Sequence, residues 1–423
     1  MKLTNFFKYI FSVENNYSID EFGIKNNKTK LIYIMGIKIS LKQKLTSEQE
    51  IKNELIVLKM KLEYLKQGLE YLIERQSEQS VYTKELYWSS CSNKLISQQS
   101  IPVKKCLLFK YDNFFGVGKH SGPNLGDNIQ TFAVKNIIDK IYPNIKYEYI
   151  DRDNLINYNG EPAICIMQGW FSHSQSHTFF ANKNIIPIYV GYHLEPTKEE
   201  DILYLLKYVP DYFNNKTIGC RDTYTKQLFQ NLNIPSYLSR CLTLTLPKRT
   251  QNSNADTIYF VDVYDKYLKY IPKEFFQKYK KITQRGCDKG FDDSYYIGTS
   301  EKYYFEKAEN LFKEYKENAK LVITTCLHCA APCLAMGIPV ILFAFLDDKT
   351  RYTALDGILS IYTIEDLESN NVNWYPNHIE FEDLKQAMIS NLELTIKEQL
   401  GEKINSEELK QLQQKIENYK IIN

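Results

Sequence analysis

No apolar run in the chain approaches the roughly 18 residues that a membrane-spanning helix requires, so a transmembrane protein is not expected. Neither sign of charge prevails. The 53 Lys and Arg stand against 51 Asp and Glu, a net of +2, whereas a dedicated nucleic-acid binder carries a strong basic surplus. Nucleic acid is therefore not an expected partner. Cysteine is odd in number, nine residues scattered from Cys91 to Cys333 with no regular framework. That excludes a secreted disulfide scaffold and fits reduced thiols in the cytoplasm. The opening Met1–Val13 is aromatic but interrupted by Lys8, and no small-residue cleavage site follows. Neither a signal peptide nor a membrane anchor is expected there.

What is present is length and apolar content. At 423 residues, 43% hydrophobic and 25% charged, the chain has room for two or three folded domains. Residues 1–45 are a small basic segment, with eight lysines against Glu14, Asp20 and Glu21. Within it Leu31–Ile39 has strand composition, as two short strands turning at Gly36. Two readings stay open for its lysines and aromatics: contact with an anionic membrane surface, peripheral at the inner membrane, or a merely solvated terminus.

Residues 46–80 read as a coiled-coil helix. Ser47 and Glu50 make a capping box, and Ile51, Leu55, Leu58, Leu62, Leu65, Leu69 and Leu72 then alternate four- and three-residue steps. That spacing keeps one apolar seam along a helix under-wound to 3.5 residues per turn. A homo-oligomer is expected, the alternative being a helix laid on its own catalytic domain. Residues 81–103, rich in Ser, Gln and Lys, read as a linker.

Beyond it the texture changes. Cys106–Tyr111, Ala163–Met167, Ile185–Val190, Thr257–Val263, Leu321–Thr325 and Val340–Phe345 are apolar runs of strand length. Helical patterns at Ile129–Ile141 and Tyr303–Asn318 fall between them. The alternation predicts an α/β fold of parallel sheets covered on both faces. With a hinge at Thr250–Ala255, it predicts two doubly wound, Rossmann-like domains at 104–250 and 251–385, followed by helices over 386–423. Such a pair binds ligands in the cleft at the carboxyl ends of its strands.

Three segments carry chemistry. Asn124-Leu-Gly126-Asp127 opens a helix after a glycine-bearing loop; glycine admits close backbone approach, and Asp127 suits a helix cap, a sugar hydroxyl or a general base. In Gly219-Cys-Arg221-Asp222-Thr223, Asp222 and Thr223 can cap the next helix. Arg221 offers a planar fork to a carboxylate or phosphate, or pairs with a neighbouring acid. In Thr324-Thr325-Cys326-Leu-His328, a buried strand runs into a turn that places a histidine for proton transfer. Cys326, His328, Cys329 and Cys333 lack the spacing of a paired zinc site, so no metal is expected.

These segments, in this order, resemble the polysaccharide pyruvyl transferase family: its early Asn-x-Gly-Asp, its central Arg-Asp, and its late Thr-x-Arg-Leu-His followed by a small-residue helix and Gly-x-Pro. Gln168–Phe171, Tyr189–His193 and Ser239–Thr243 are further landmarks, and the likeness spans roughly 104–345. The resemblance implies the two-domain GT-B arrangement. Phosphoenolpyruvate would be the donor substrate, with no other cofactor, and a sugar of a cell-surface glycan or lipid-linked saccharide the acceptor. It casts His328 as proton-transfer group, Arg221 as anion clamp and Asp127 as base or hydroxyl-orienting group. Asn124, Gly126, Arg240, Arg285, Thr324 and Thr325 would lie at the donor, and His193 and Trp170 at the acceptor.

One position departs from the pattern. Cys326 stands where the family has arginine, and a thiol cannot replace a bidentate cation. Two alternatives therefore accompany the pyruvyl reading: a glycosyltransferase using a nucleotide sugar on the same scaffold, and a non-catalytic scaffold of a glycan-assembly complex. The seam itself is testable by light scattering. The full chain should elute as a homo-oligomer and Leu58→Lys/Leu65→Lys as a monomer; a monomeric parent chain refutes the coiled coil.

Overall fold

The computed structural model describes residues 11–19, 25–34, 37–42, 62, 66, 83–95, 104–111, 124–171, 179–195, 198–250, 255–284, 301–344 and 349–421. It divides into two compact units, Met1–Leu86 and Tyr87–Asn423. In the first, β1 (Phe11–Ile19), β2 (Lys25–Ile34) and β3 (Ile37–Lys42) form an antiparallel sheet in that order. The strand pair expected around Gly36 is β2 and β3, which pair from Ile34 and Ile37 outward. β1 carries Glu14, Asn15 and Asn16 at its centre, so its composition does not announce a strand. The seam at 47–76 lies outside the described residues, apart from Leu62 and Lys66, which are helical and exposed.

The second unit is α/β, with three all-parallel sheets. The linker expected at 81–103 is corrected at its start, because residues 83–95 form a helix. Trp88, Cys91 and Leu95, at three- and four-residue steps, are buried, and the Trp88 ring lies 5.4 Å from that of Phe180. Serines and lysines on its outer face lend the helix a linker's composition.

The strands β4 (Lys105–Lys110), β5 (Lys146–Asp151), β6 (Ala163–Ile166) and β8 (Ile185–Ile188) form one sheet, ordered β5-β4-β6-β8. A second comprises β7 (Gly169–Phe171), β9 (Tyr192–Leu194), β10 (Ile218–Cys220) and β11 (Ser236–Leu238), ordered β7-β9-β10-β11. β7 follows β6 through Met167-Gln168 and β9 follows β8 through Tyr189-Val190-Gly191, so two strand paths step from one sheet into the next. The amide of Gly219 bonds the Tyr189 carbonyl at 2.8 Å and closes the step. The third sheet, β13-β12-β14-β15-β16, is built from β12 (Thr257–Val261), β13 (Tyr279–Ile282), β14 (Ala319–Thr324), β15 (Val340–Phe343) and β16 (Ile361–Tyr362). The six apolar runs read as strands are β4, β6, β8, β12, β14 and β15. The order reverses between β12 and β14, where an open parallel sheet leaves a crevice at its carboxyl edge.

Seven helices are labelled here: α1 (Leu125–Ile141), α2 (Glu199–Tyr208), α3 (Thr223–Asn231), α4 (Glu301–Asn318), α5 (Leu327–Ala335), α6 (Glu382–Gln399) and α7 (Ser406–Glu417). α1 buries Leu125, Ile129, Ala133, Val134, Ile137 and Ile138, each leucine, isoleucine or valine among them contributing about 1.5–3 kcal/mol. They share one core with Cys329, Ala330 and Leu334 of α5 and with Leu384 and Leu392 of α6, so the two parallel-sheet halves are packed together through these helices. α6 returns to β8, and α7 to β11. Among the described residues no helix is long and apolar enough to cross a membrane.

Arg240 fastens this return. It sits in the left-handed region at φ 62°. Its guanidinium donates to the carbonyls of Ile416 (2.8 Å), Ala354 (3.1 Å), Asp356 (2.8 Å), Glu417 (3.4 Å) and Tyr419 (2.9 Å). Burial lowers its pKa to about 10, and the five carbonyls take the place of water. Arg240→Met should lower unfolding free energy by about 3 kcal/mol or more in urea titration. An unchanged midpoint would deny it this role.

Candidate active site

The carboxyl ends of β9, β10, β12 and β14 and the amino ends of α1, α3 and α5 converge. Asp222, at the end of β10, caps α3: its Oδ1 accepts from the Thr225 amide at 2.9 Å and the Thr225 hydroxyl at 3.0 Å. Its Oδ2 holds Nδ1 of His193, which projects from β9. Burial raises the Asp222 pKa, but the bond to His193 and the nearby charges outweigh it, and the net shift is downward. A carboxylate at Nδ1 keeps the imidazole proton there and leaves the Nε2 lone pair available as a base. Burial and then Arg221 lower the pKa of His193, against the opposing pull of Asp222.

Arg221 is held by its amide bond to the Tyr192 carbonyl, at 2.8 Å. Its side chain is buried, and its Nη1 stands 3.5 Å from Nε2 of His328. Since a guanidinium only donates, His328 Nε2 is the acceptor and the ring proton is assigned to Nδ1. Burial pushes the His328 pKa well below 6.5, helped by the charges of Arg221, His193 and Arg351. The buried Nε of Arg221 has no partner.

Two helix starts abut across the cleft. α1 begins with Asn124, whose side chain accepts from the Gly126 amide at 3.1 Å. A Cβ on Gly126 would stand 2.7 Å from the Cβ of His328, so a side chain there would drive the helices apart. Gln284 clasps both: its carbonyl accepts from the Leu125 amide (2.8 Å) and its Nε2 donates to the His328 carbonyl (3.1 Å). Its own amide bonds Asp262 Oδ2 at 2.9 Å. Asp262 ends β12 at φ 49°, and Cys326 Sγ lies 3.6 Å from its Oδ2. Asp127, in the first turn of α1, accepts from Gln130 at 2.9 Å.

His328, Asp127, Arg221, Gly126, Asn124, His193 and Trp170 thus belong to one neighbourhood. The hydroxyls of Thr324 and Thr325 are turned to other work, bonding the carbonyls of Val261 (3.0 Å) and Asp262 (2.7 Å) and tying β14 to β12. Arg240, expected at the donor, holds the C-terminal segment instead, because its N–H groups are committed to carbonyls there. Arg285 lies outside the described residues. Gln168 and Ser239 of the landmark segments are scaffolding: Gln168 Oε1 accepts from the Leu242 amide at 2.9 Å and Ser239 Oγ from the Gly191 amide at 2.8 Å.

Sequence reasoning missed Gln284, Asp262, Arg351 and Arg152. Arg152 is buried at the end of β5, paired with Asp153 at 2.9 Å and 5.2 Å over the Tyr111 ring, with Nη1 unpartnered. No motif marks these four; only the clustering of strand ends brings them in.

A buried guanidinium beside a neutral imidazole, with a histidine–carboxylate pair close by, suits an enzyme that holds an anionic group while it moves protons. The chain belongs to the polysaccharide pyruvyl transferase family, whose model matches residues 124–347, just over half of its length. No curated protein matches it.

Both histidine pKa values fall on folding, so the unfolded chain binds more protons than the folded one below about pH 6.5, and stability declines there. The melting temperature should rise between about pH 5 and pH 7.5, and His328→Gln should flatten that rise. An unchanged slope in the variant would mean that His328 is protonated in the folded protein.

Proposed function

We propose that the protein transfers pyruvate from phosphoenolpyruvate onto one sugar of a bacterial cell-surface glycan, as a ketal across two of its hydroxyls. A proton added to the donor's methylene carbon makes the methyl group and leaves C2 electron-poor. One hydroxyl oxygen bonds to C2; the bond from C2 to the phosphate oxygen breaks, and the second hydroxyl oxygen takes its place. Of the two hydroxyl protons lost, the methyl group balances one and the released phosphate the other.

The single observation that carries this reading is Arg221, buried and with Nε unpartnered, beside His328 at the start of α5. Phosphate is held by Arg221 and the amino terminus of α5, where the cap residue Cys326 makes no side-chain hydrogen bond to the helix. His328 is the proton-transfer group. Burial and then the neighbouring charges depress its pKa, and the negative charge of the bound donor opposes them, so the imidazole can carry the proton for the methylene carbon. His193, polarised by Asp222, takes a proton from an acceptor hydroxyl. Asp127 orients the other hydroxyl, and Trp170 lies beneath the sugar.

Phosphoenolpyruvate at about 100 times its dissociation constant should stabilise the purified chain by about 2.7 kcal/mol. In Arg221→Ala the shift should vanish. With the glycan acceptor, the parent chain should release inorganic phosphate and His328→Ala should not. A thermal shift with a nucleotide sugar and none with phosphoenolpyruvate would replace this reading with sugar transfer.

A further inference from the structure

Phosphoenolpyruvate carries two anionic groups, and one buried guanidinium does not serve both. At position 326 the side chain is a thiol directed at the Asp262 carboxylate (3.6 Å), which offers no second cation. The turn Thr350–Leu355 does. Arg351 projects from it, its guanidinium carbon 5.9 Å from the centre of the Trp170 ring, and that ring is 6.4 Å from the imidazole of His193. The backbone around Arg351 is held from several directions. Tyr352 Oη donates to the Thr325 carbonyl at 2.6 Å, immediately before Cys326. Thr353 Oγ1 accepts from the Thr223 amide at 2.9 Å, beside Arg221 and Asp222. The Ala354 carbonyl accepts from Arg240 at 3.1 Å. A guanidinium set over an indole and carried on a pinned turn is pre-organised for a planar anion.

We infer that Arg351 holds the carboxylate of the donor, filling the place left without a cation by Cys326, while Arg221 and the start of α5 hold the phosphate. This rests on the pyruvyl-transfer reading. The division follows from placement: Arg351 lies over Trp170 and beside His193, on the acceptor side, where the carboxylate remains attached to the sugar after transfer. Arg221 lies against His328, where phosphate departs. The charge of Arg351 reaches Arg221, His193 and His328 alike, lowering the pKa of each.

The test is calorimetric titration of the full chain with phosphoenolpyruvate and, separately, with inorganic phosphate, which needs no acceptor. Arg351→Gln should weaken phosphoenolpyruvate about 10- to 100-fold, as expected for a lost charge-assisted hydrogen bond, and leave phosphate within about twofold. Arg351→Lys, which keeps the charge without the fork, should fall between and serves where the glutamine variant melts early. Adding Cys326→Arg to Arg351→Gln should restore much of the lost affinity. Unchanged phosphoenolpyruvate affinity in a folded Arg351→Gln, or an equal loss for phosphate, overturns the inference alone. Failure of Cys326→Arg to restore binding overturns the exchange of positions. A parent chain that does not bind phosphoenolpyruvate removes the pyruvyl reading, and this inference with it.

Discussion

The site depends on two helices that begin face to face. α1 and α5 start on opposite sides of the cleft, and at their closest approach His328 is pressed on Gly126, where an added Cβ would come within 2.7 Å of the His328 Cβ. Gln284 locks the approach from the second half of the unit, bonding the first amide of α1 and the carbonyl of His328. Asp127 and Arg221 are arranged around that contact. Asp127 follows Gly126 by one residue, and Arg221 is brought to His328 by the end of β10. A larger residue at 126 would separate Asp127 from His328 before it altered any chemistry.

Around this contact the protein maintains an electrostatic tension. Arg221 is buried, and burial lowers its pKa even with Asp222 and Asp127 nearby. The pKa values of His328 and His193 are lowered by burial and by that same guanidinium. Removing charge from water is costly unless hydrogen bonds replace the hydration. Here some are withheld: Nε of Arg221, Nη1 of Arg152 and Oε1 of Gln284 are buried without partners. In the proposed reaction an anionic donor bound at Arg221 would raise the imidazole pKa values in the same event, which couples binding to readiness for proton transfer.

The arginines show how one side-chain type divides by surroundings. Arg240 is fully enclosed by backbone carbonyls, so its planar fork joins α7 and the 354–356 turn to the sheet end. Arg221 has β9 carbonyls only at its backbone, leaving the fork for the cleft. Arg351 rests on an indole at the cleft's edge, on a turn that Arg240 itself helps to hold. Arg240 and Arg351 are thereby connected through Ala354.

Short apolar runs by themselves determined the central strands. Short apolar runs bounded by turn residues can be buried only as parallel strands covered by helices, and the six runs read that way are strands within a residue or two. The order of Asn124–Asp127, Arg221-Asp222 and Thr324–His328 likewise pointed to the family whose model matches residues 124–347. The helix at 83–95 was hidden because three buried positions among serines and lysines resemble a linker in composition. Only the tertiary structure decided that Arg240 is a fastener, that Thr324 and Thr325 tie two strands together, and that Gln284, Asp262, Arg152 and Arg351 belong to the cleft. Those roles come from contacts between segments far apart in the chain. A residue's own neighbours dictate its backbone, but which carbonyl or carboxylate its side chain meets is set by how the sheets pack.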